Sequence, residues 1–255
     1  MLPVARHDAI VDLVNGAHTV STDELVNRLG VSAETVRRDL ALLEERGAIR
    51  RVHGGAASLL QRVSGEEPPF AERTVIHQEA KARLARVAVG LLQPGQTVVI
   101  DIGTTAVEVA RAIPATFRGT VATSSLLVAI ELAARPGIHV LVSGGRVRAG
   151  DLACRGAHAR SLFADVYADV AFIGSGGVDA AAGLTDYHLD EIDVRRTIIA
   201  NSASSYILAD SSKLDRIGPH RVCDLTAVTG LITDECTSPA VEAAVREAGG
   251  VVLSA

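Results

Sequence analysis

Apolar positions near the start of the chain recur at helical spacing. Ile10, Leu13 and Val14 share one face of a first helix, which the glycine of Asn15-Gly16 is expected to close in a left-handed cap. Ser21-Thr-Asp-Glu24 has the form of a capping box, in which the Ser21 hydroxyl accepts from the amide three residues on while Glu24 reaches back. It predicts a short helix with Leu25, Val26 and Leu29 inward and Gly30 as its stop. The pattern restarts at Ser32, the N-cap of a third helix running to about Arg46, with Val36, Leu40 and Leu43 as its buried stripe. Glu34, Thr35, Arg37 and Arg38 project away from that stripe. Ile49-Arg-Arg-Val52 then reads as a short strand, and His53-Gly-Gly55 as the tight bend after it.

Residues 58–75 hold Gly65, Glu66-Glu67 and Pro68-Pro69 without periodicity and read as a connector that the proline pair stiffens. From Ile76 onward Ala80, Leu84, Val87, Ala88 and Leu91 keep one face of a long helix, stopped by Gln93-Pro-Gly95. β-Branched runs then alternate with helical ones. Residues 98–101 are a strand leading through Ile102-Gly-Thr-Thr105 into a helix over about 106–112. Residues 121–125 repeat the arrangement with a helix over 126–134, and 138–142 run into Ser143-Gly-Gly145. Later, 170–173 enter Gly174-Ser-Gly-Gly177, a helix carries Glu191, Arg195 and Arg196, and strand 206–210 ends in Ser211-Ser-Lys213. The last thirty or so residues read as strand, Pro239-initiated helix and strand. Such alternation predicts a mostly parallel sheet, whose ligands bind outside the carboxyl ends of the strands.

Composition narrows the classes. A chain of 255 residues with 48% hydrophobic and 22% charged content is soluble globular material, enough for one domain of about 150 to 200 residues and a smaller one. Aromatic residues are 3% with no Trp, so the core is Val, Ile, Leu and Ala, and little stacking surface exists for single-stranded nucleic acid. The net charge of −5 excludes general polyanion binding, and any DNA contact must come from a local basic surface. Residues 1–62 carry eight Arg against eight acids, so affinity depends on where the arginines sit and on pairing of two heads. Cys154, Cys223 and Cys236 form no C-x-x-C pair, which points to neither a disulfide framework nor a zinc site and fits a reducing cytoplasm. No cofactor or metal is expected. The apolar runs are far shorter than the roughly 20 residues of a membrane span, and the start of the chain lacks a signal-peptide core.

Two groups of residues carry candidate chemistry. In a helix-turn-helix the start of the second helix meets base edges, which fits Arg37 and Arg38 near the beginning of the third helix and Glu44 and Glu45 near its end. The strand and glycine bend would add a wing, with Arg50, Arg51 and His53 on phosphates or the minor groove. In the larger part, three successive strands deliver hydroxyl-rich or glycine-rich loops to one sheet edge, and hydroxyls with helix-terminal amides suit a phosphate. Nucleotide fingerprints fail: Gly145 to Gly150 has P-loop glycine spacing, but Asp151 stands where Lys is required, and Gly174-Ser-Gly176 finds Asp179 where a third glycine belongs.

Val31-Ser-x-Glu-Thr-Val-Arg-Arg-Asp-Leu40, Leu43-Glu44, Gly47 and Ile49-x-Arg51-Val-His-Gly-Gly-Ala56 resemble the winged helix-turn-helix of the DeoR family of bacterial transcriptional regulators. Asp101-x-Gly-Thr-Thr105, Thr123-x-Ser125, Ser143-Gly-Gly145, Glu191-x-x-x-Arg195 and Asp210-Ser-Ser-Lys213 resemble its sensor domain, with departures at Ser124, Arg195 and Gly174-Ser-Gly-Gly177. The resemblance implies an α/β protein: a winged helix-turn-helix over 1–57, a linker over 58–75, and over 76–255 an effector-binding and oligomerisation domain similar to ribose-5-phosphate isomerase and CoA transferase folds. It implies a repressor of sugar metabolism genes, dimeric or tetrameric on a double-stranded operator, whose binding a phosphorylated sugar modulates. The DNA-binding candidates are Ser32, Glu34, Thr35, Arg37, Arg38, Arg50, Arg51 and His53. The effector-binding candidates are Asp101, Gly103, Thr104, Thr105, Ser124, Ser125, Gly144, Gly145, Glu191 and Lys213, with Asp101 on sugar hydroxyls and Thr104, Thr105, Ser124, Ser125 and Lys213 on the phosphate. The alternatives are a sugar-phosphate isomerase-like enzyme with a fused DNA-binding head, and an interaction module that takes no ligand.

Overall fold

A computed structural model describes residues 3–17, 19–52, 54–57, 61–62 and 67–255. The chain divides into two compact units, Met1–Arg62 and Val63–Ala255.

In the first unit three helices, α1 (Pro3–Ala17), α2 (Thr22–Leu29) and α3 (Ala33–Glu45), accompany three short strands, β1 (Thr19–Ser21), β2 (Arg50–Val52) and β3 (Gly55–Ala57). The helix α1 runs past Asn15-Gly16 rather than capping there, since glycine costs only about 1 kcal/mol inside a helix. Ser21 caps α2 by accepting from the Glu24 amide at 3.1 Å, and Gly30 closes it at φ 66°. Glu24 does not reach back; it pairs with Arg28 one turn on. The strands form an antiparallel sheet in the order β1-β3-β2, with Val52 opposite Gly55 at the hairpin tip. Gly55 must be glycine, because a Cβ there would sit 2.2 Å from the Val20 carbonyl oxygen. Ile10, Val14, Val20, Leu25, Val36, Leu40, Leu43, Ile49 and Ala56 make the core, so the three stripe residues of α3 are all inside.

The second unit opens differently from expectation. Part of the stretch read as connector forms α4 (Phe70–Val75), and the long helix begins only at α5 (Gln78–Val89). His77, at φ 53°, breaks the two apart, and Lys81 anchors the elbow by donating to the carbonyls of Arg73 and Ile76. The central sheet contains β4 (Thr97–Ile100), β5 (Gly119–Thr123), β6 (Ile138–Val142) and β7 (Val170–Ile173). The antiparallel strands β8 (Gly177–Asp179) and β9 (Gly183–Asp186) come next, then β10 (Ser205–Leu208) of the main sheet. The third antiparallel strand, β11 (His220–Cys223), precedes the last two of the main sheet, β12 (Gly230–Thr233) and β13 (Val251–Ser254). All seven neighbours of the main sheet run parallel, in the order β13-β12-β10-β7-β4-β5-β6, while β8-β9-β11 form a small antiparallel sheet of their own.

Helices α6 (Thr104–Ala112) and α7 (Leu126–Ala133) join α5 on one face of the main sheet. The other face carries α8 (Ala157–Asp165), α9 (Leu189–Ala200) and α10 (Pro239–Glu247). Strand alternation feeds both layers: Val170 and Phe172 pack with the first group, Ala171 and Ile173 with the second. Among the described residues no helix is long and apolar enough to cross a membrane. The strand order reverses between β4 and β7. In open parallel sheets that reversal opens a crevice at the carboxyl ends, where ligands bind.

Candidate functional site

On the first unit, Ser32 takes an extended conformation and its hydroxyl accepts from the Thr35 amide at 3.2 Å, with the Thr35 hydroxyl a further 2.9 Å away. Both side chains therefore shape the start of α3 as well as facing outward. Glu34, Arg37 and Arg38 are exposed and grouped: Arg38 Nε donates to Glu34 at 3.2 Å, and Arg37 lies 3.9 Å from the other oxygen. Exposed pairs of this kind contribute about 0–1 kcal/mol, so phosphates or bases can replace Glu34 at little cost. Arg50 and Arg51 are exposed on β2, and the Arg51 amide donates to Glu44, which ties the strand to the end of α3. His53 lies outside the described residues. One residue of importance escaped the pattern. Asp39 is buried and receives Arg6 Nε at 2.6 Å and His7 Nε2 at 2.9 Å, clamping α1 onto α3. Burial alone would raise its carboxyl, but the hydrogen bonds and charges of Arg6 and His7 hold it below the usual carboxylate value.

In the second unit a cavity of about 210 Å³ opens beside the sheet reversal. Its wall includes Gly103, Thr104 and Thr105 after β4, Gly174 and Ser175 after β7, and Asp210, Ser212 and Lys213 after β10. The helix α6 starts two residues earlier than its apolar pattern predicts, so Thr104 and Thr105 form its first turn. Gly103, at φ 105°, precedes it, and no side chain caps its amides. That leaves an amino-terminal helix end, with its partial positive charge, open to the cavity. Lys213 stands across from it, half-buried; among the described residues no hydrogen-bond or ion-pair partner reaches its ammonium. Burial and the nearby Arg216 lower its pKa, while Asp210 opposes them.

Behind this mouth lies a charged lattice. Arg195, 4% exposed, donates to Asp101 at 2.6 Å and also to Asp186, and approaches Glu191 at 3.6 Å. Asp101 in addition accepts from the Gly174 amide at 2.9 Å, so it pins the loop after β7 to the loop after β4. Arg148 binds Asp151 through two nitrogens and reaches Glu191 with a third. Burial pushes the Glu191 carboxyl up to about 8 against the pull of Arg195 and Arg148, and Asp186 and Asp101 add to the rise. The upward direction holds despite these ion pairs, because Glu191 is buried and must share Arg195 with two other acids.

Of the expected effector residues the cavity thus gathers Gly103, Thr104, Thr105, Glu191 and Lys213. The rest do not line it. Asp101 is 2% exposed and is held by Arg195 and the Gly174 amide, which makes it a brace between loops. Ser124 and Ser125 are buried, and Ser125 caps α7 by accepting from the Val128 amide at 3.2 Å. Gly144 and Gly145 follow the edge strand β6. β5 and β6 lie on one side of the reversal and β7 and β10 on the other, and from the stretch after β6 it is Arg148 and Asp151 that reach the wall. Wall residues outside the expected effector set are Glu67, Arg73, Lys81, Arg148, Asp151, Asp186, Arg195, Asp210 and Arg216, of which Arg195 and Asp210 had stood only as parts of the family-like motifs. The only local signal among them is charge spacing, as in Arg148 with Asp151 at i, i+3 and Glu191 with Arg195 at i, i+4.

Comparison with known proteins bears on both units. A DeoR-like helix-turn-helix domain matches residues 6–62, and a DeoR C-terminal sensor domain matches residues 76–235. The transcriptional regulator GlpR of Haloferax volcanii is 34% identical over 99% of this chain and 98% of its own. GolR of Listeria innocua, also a transcriptional regulator, is 31% identical over 98% and 97%. The glycerol-3-phosphate regulon repressor of Escherichia coli is 32% identical over 92% of each. Among solved structures, ribose-5-phosphate isomerase A of Methanocaldococcus jannaschii aligns at a TM-score of 0.40 and 16% identity, over 54% of this chain and 55% of that one. The chain belongs to the DeoR family, whose members it matches along nearly their whole length are named as transcriptional regulators and not as enzymes.

Proposed function

We propose that this regulator is a cytoplasmic repressor of genes for sugar or polyol phosphate metabolism, and that the cavity at the sheet reversal binds the phosphorylated effector. The observation that carries the reading is the pairing of an uncapped α6 amino end with an unpartnered Lys213 ammonium in one cavity. Together they offer a phosphoryl group a ring of amides, the Thr104 and Thr105 hydroxyls and a cation. The volume suits a small phosphorylated polyol or sugar. The name of the Escherichia coli relative, a glycerol-3-phosphate regulon repressor, points to the same class.

In this reading residues 1–57 hold the operator through Ser32, Glu34, Thr35, Arg37, Arg38, Arg50, Arg51 and His53, residues 58–75 connect, and residues 76–255 sense the effector and associate into dimers or tetramers. Two heads on one operator compensate for a head with no net charge. The effector acts by binding the DNA-competent and DNA-incompetent arrangements unequally, and a coupling of about 1–3 kcal/mol changes operator occupancy by several-fold to a hundred-fold. A melting-temperature screen of sugar and polyol phosphates, followed by binding to the DNA upstream of the gene with and without each hit, tests this. We expect at least one hit to shift both, and Lys213→Ala to weaken that hit by roughly tenfold or more. A Lys213→Ala protein with unchanged affinity would falsify the placement of the phosphate.

A further inference from the structure

The wall of the cavity includes Glu67, Pro68, Arg73, Ile76 and His77, all from the segment that begins a few residues after Arg62, where the first unit ends. This segment is the covalent route between the two units, and one carboxylate organises it. Glu67 Oε1 is 2.9 Å from Arg73 Nη1, and its Oε2 is 3.3 Å from His188 Nε2, at the start of α9. Arg73 Nε also donates to the Pro68 carbonyl at 2.9 Å, which closes a loop over residues 67–73. Both partners of the Glu67–Arg73 pair are largely enclosed, with side-chain exposures of 12% and 16%. The far end of α4 is held rigidly by the buried Lys81, whose ammonium is occupied by the Arg73 and Ile76 carbonyls. The near end is held by the Glu67 contacts, by Arg73 donating to the Pro68 carbonyl, and by Phe70 packing against the core beside α5 and α6.

Glu67 is thus an anion at the mouth of a cavity whose wall brings Arg73, Arg148, Lys213 and Arg216 together with several further acids. Its charge acts on Lys213 and on Arg148 as well as on Arg73. A phosphoryl group entering beside Lys213 and α6 brings up to two negative charges within reach of the same cations. Glu67 and that ligand compete, and like charges at close range in a half-enclosed site repel strongly.

We propose that Glu67 is a built-in competitor of the effector phosphate: the ligand takes Arg73 from Glu67, the carboxylate leaves the cavity, and the near end of segment 67–77 is released while Lys81 keeps the far end in place. Arg73 is then a binding residue contributed by the connecting segment, and occupancy of the cavity is converted into a change at the residue next to the DNA-binding unit. The inference rests on the reading of the cavity as a phosphate site, and its test separates the two.

The probe is inorganic phosphate, titrated calorimetrically into the full chain and into the Glu67→Gln, Arg73→Ala and Lys213→Ala variants. Glu67→Gln removes the competing charge and is expected to tighten phosphate roughly tenfold, whereas Arg73→Ala removes a ligand group and is expected to weaken it. Opposite signs for two halves of one ion pair are what simple loosening of the segment does not produce. Binding of Glu67→Gln to the DNA upstream of the gene, without phosphate, is expected to match that of the unaltered protein saturated with phosphate, and deuterium exchange over residues 67–77 to match likewise. If Lys213→Ala weakens phosphate while Glu67→Gln and Arg73→Ala leave it unchanged or move it in the same direction, the competitor role is overturned and the phosphate site stands. If millimolar phosphate binds none of the four proteins, both fall.

Discussion

The arginines of the head and those of the cavity hold their charges in opposite ways. Arg37 and Arg38 stand in water with 63% and 80% of their side chains exposed, and Glu34 is their only ion-pair partner among the described residues. Arg195 is enclosed, bound to the Asp101 and Asp186 carboxylates after β4 and at the end of β9, and lies 3.6 Å from the Glu191 carboxyl on α9. A polymer that presents phosphates along a surface is met by side chains that are free to move and weakly paired. On the proposed reading a small anion is met in a cavity where most charges are already paired, while among the described residues the Lys213 ammonium, Arg216 Nε and the α6 amides keep unused capacity. The lesson is that charge count tells little here: the head has no net charge and the cavity wall mixes cations with carboxylates, and in both places function depends on which cation is left unsatisfied.

The contrast can be broken in three places. The largest effect is expected at Arg195→Met, which strands Asp101 and Asp186 as buried carboxylates without their cation; urea unfolding should show the sensor unit destabilised by about 3–5 kcal/mol. Wild-type stability in that variant would mean the lattice is not what braces the loops after β4 and β7. Next, Arg37→Ala and Arg38→Ala should each weaken operator binding by about 1–3 kcal/mol in a gel shift, with the melting temperature of the head unchanged, since both side chains are exposed. A fall in head stability instead would show that these arginines belong to the fold. The third break is a slope with pH. Folded Glu191 holds its proton up to about 8 while the unfolded group loses it near its ordinary 4.5, so the folded state binds more protons between those values. Stability of the sensor unit should therefore fall as pH rises from about 5 to 8, and Glu191→Gln should flatten that fall. A curve of the same slope in wild type and variant would place the titration elsewhere.

How much was readable along the chain follows from the range of the interactions. The head was legible because its determinants are local: Ser32 finds Thr35 three residues on, and Val36, Leu40 and Leu43 meet the core at helical spacing. Asp39 was not, because its partners Arg6 and His7 lie more than thirty residues away and nothing near it marks it as buried. In the sensor unit Asp101 read as the last residue of a strand that in fact ends at Ile100, and its role as a brace was hidden, since only the fold brings Arg195 and the Gly174 amide onto it. The charged residues of 58–75 read as connector, and two of them, Glu67 and Arg73, prove to be cavity wall.

By itself the sequence determined the helices of the head, the strand–helix alternation that opens the sensor unit, the presenting face of α3, and the hydroxyl-rich turn at Gly103 to Thr105, because these depend on periodicity, capping and turn chemistry within a few residues; α4, α8 and the antiparallel strands β8, β9 and β11 were not read from it. It did not contain the lateral order of the strands, which is set by how α5 to α10 distribute over the two faces of the sheet. Only the tertiary structure decided that the loops after β4, β7 and β10, with Arg148 and Asp151 from the stretch after β6, share one cavity that Ser124, Ser125, Gly144 and Gly145 do not line. The state of each charge was likewise decided in three dimensions, since whether a carboxylate braces, binds or blocks depends on which cation the fold places within hydrogen-bond reach of it.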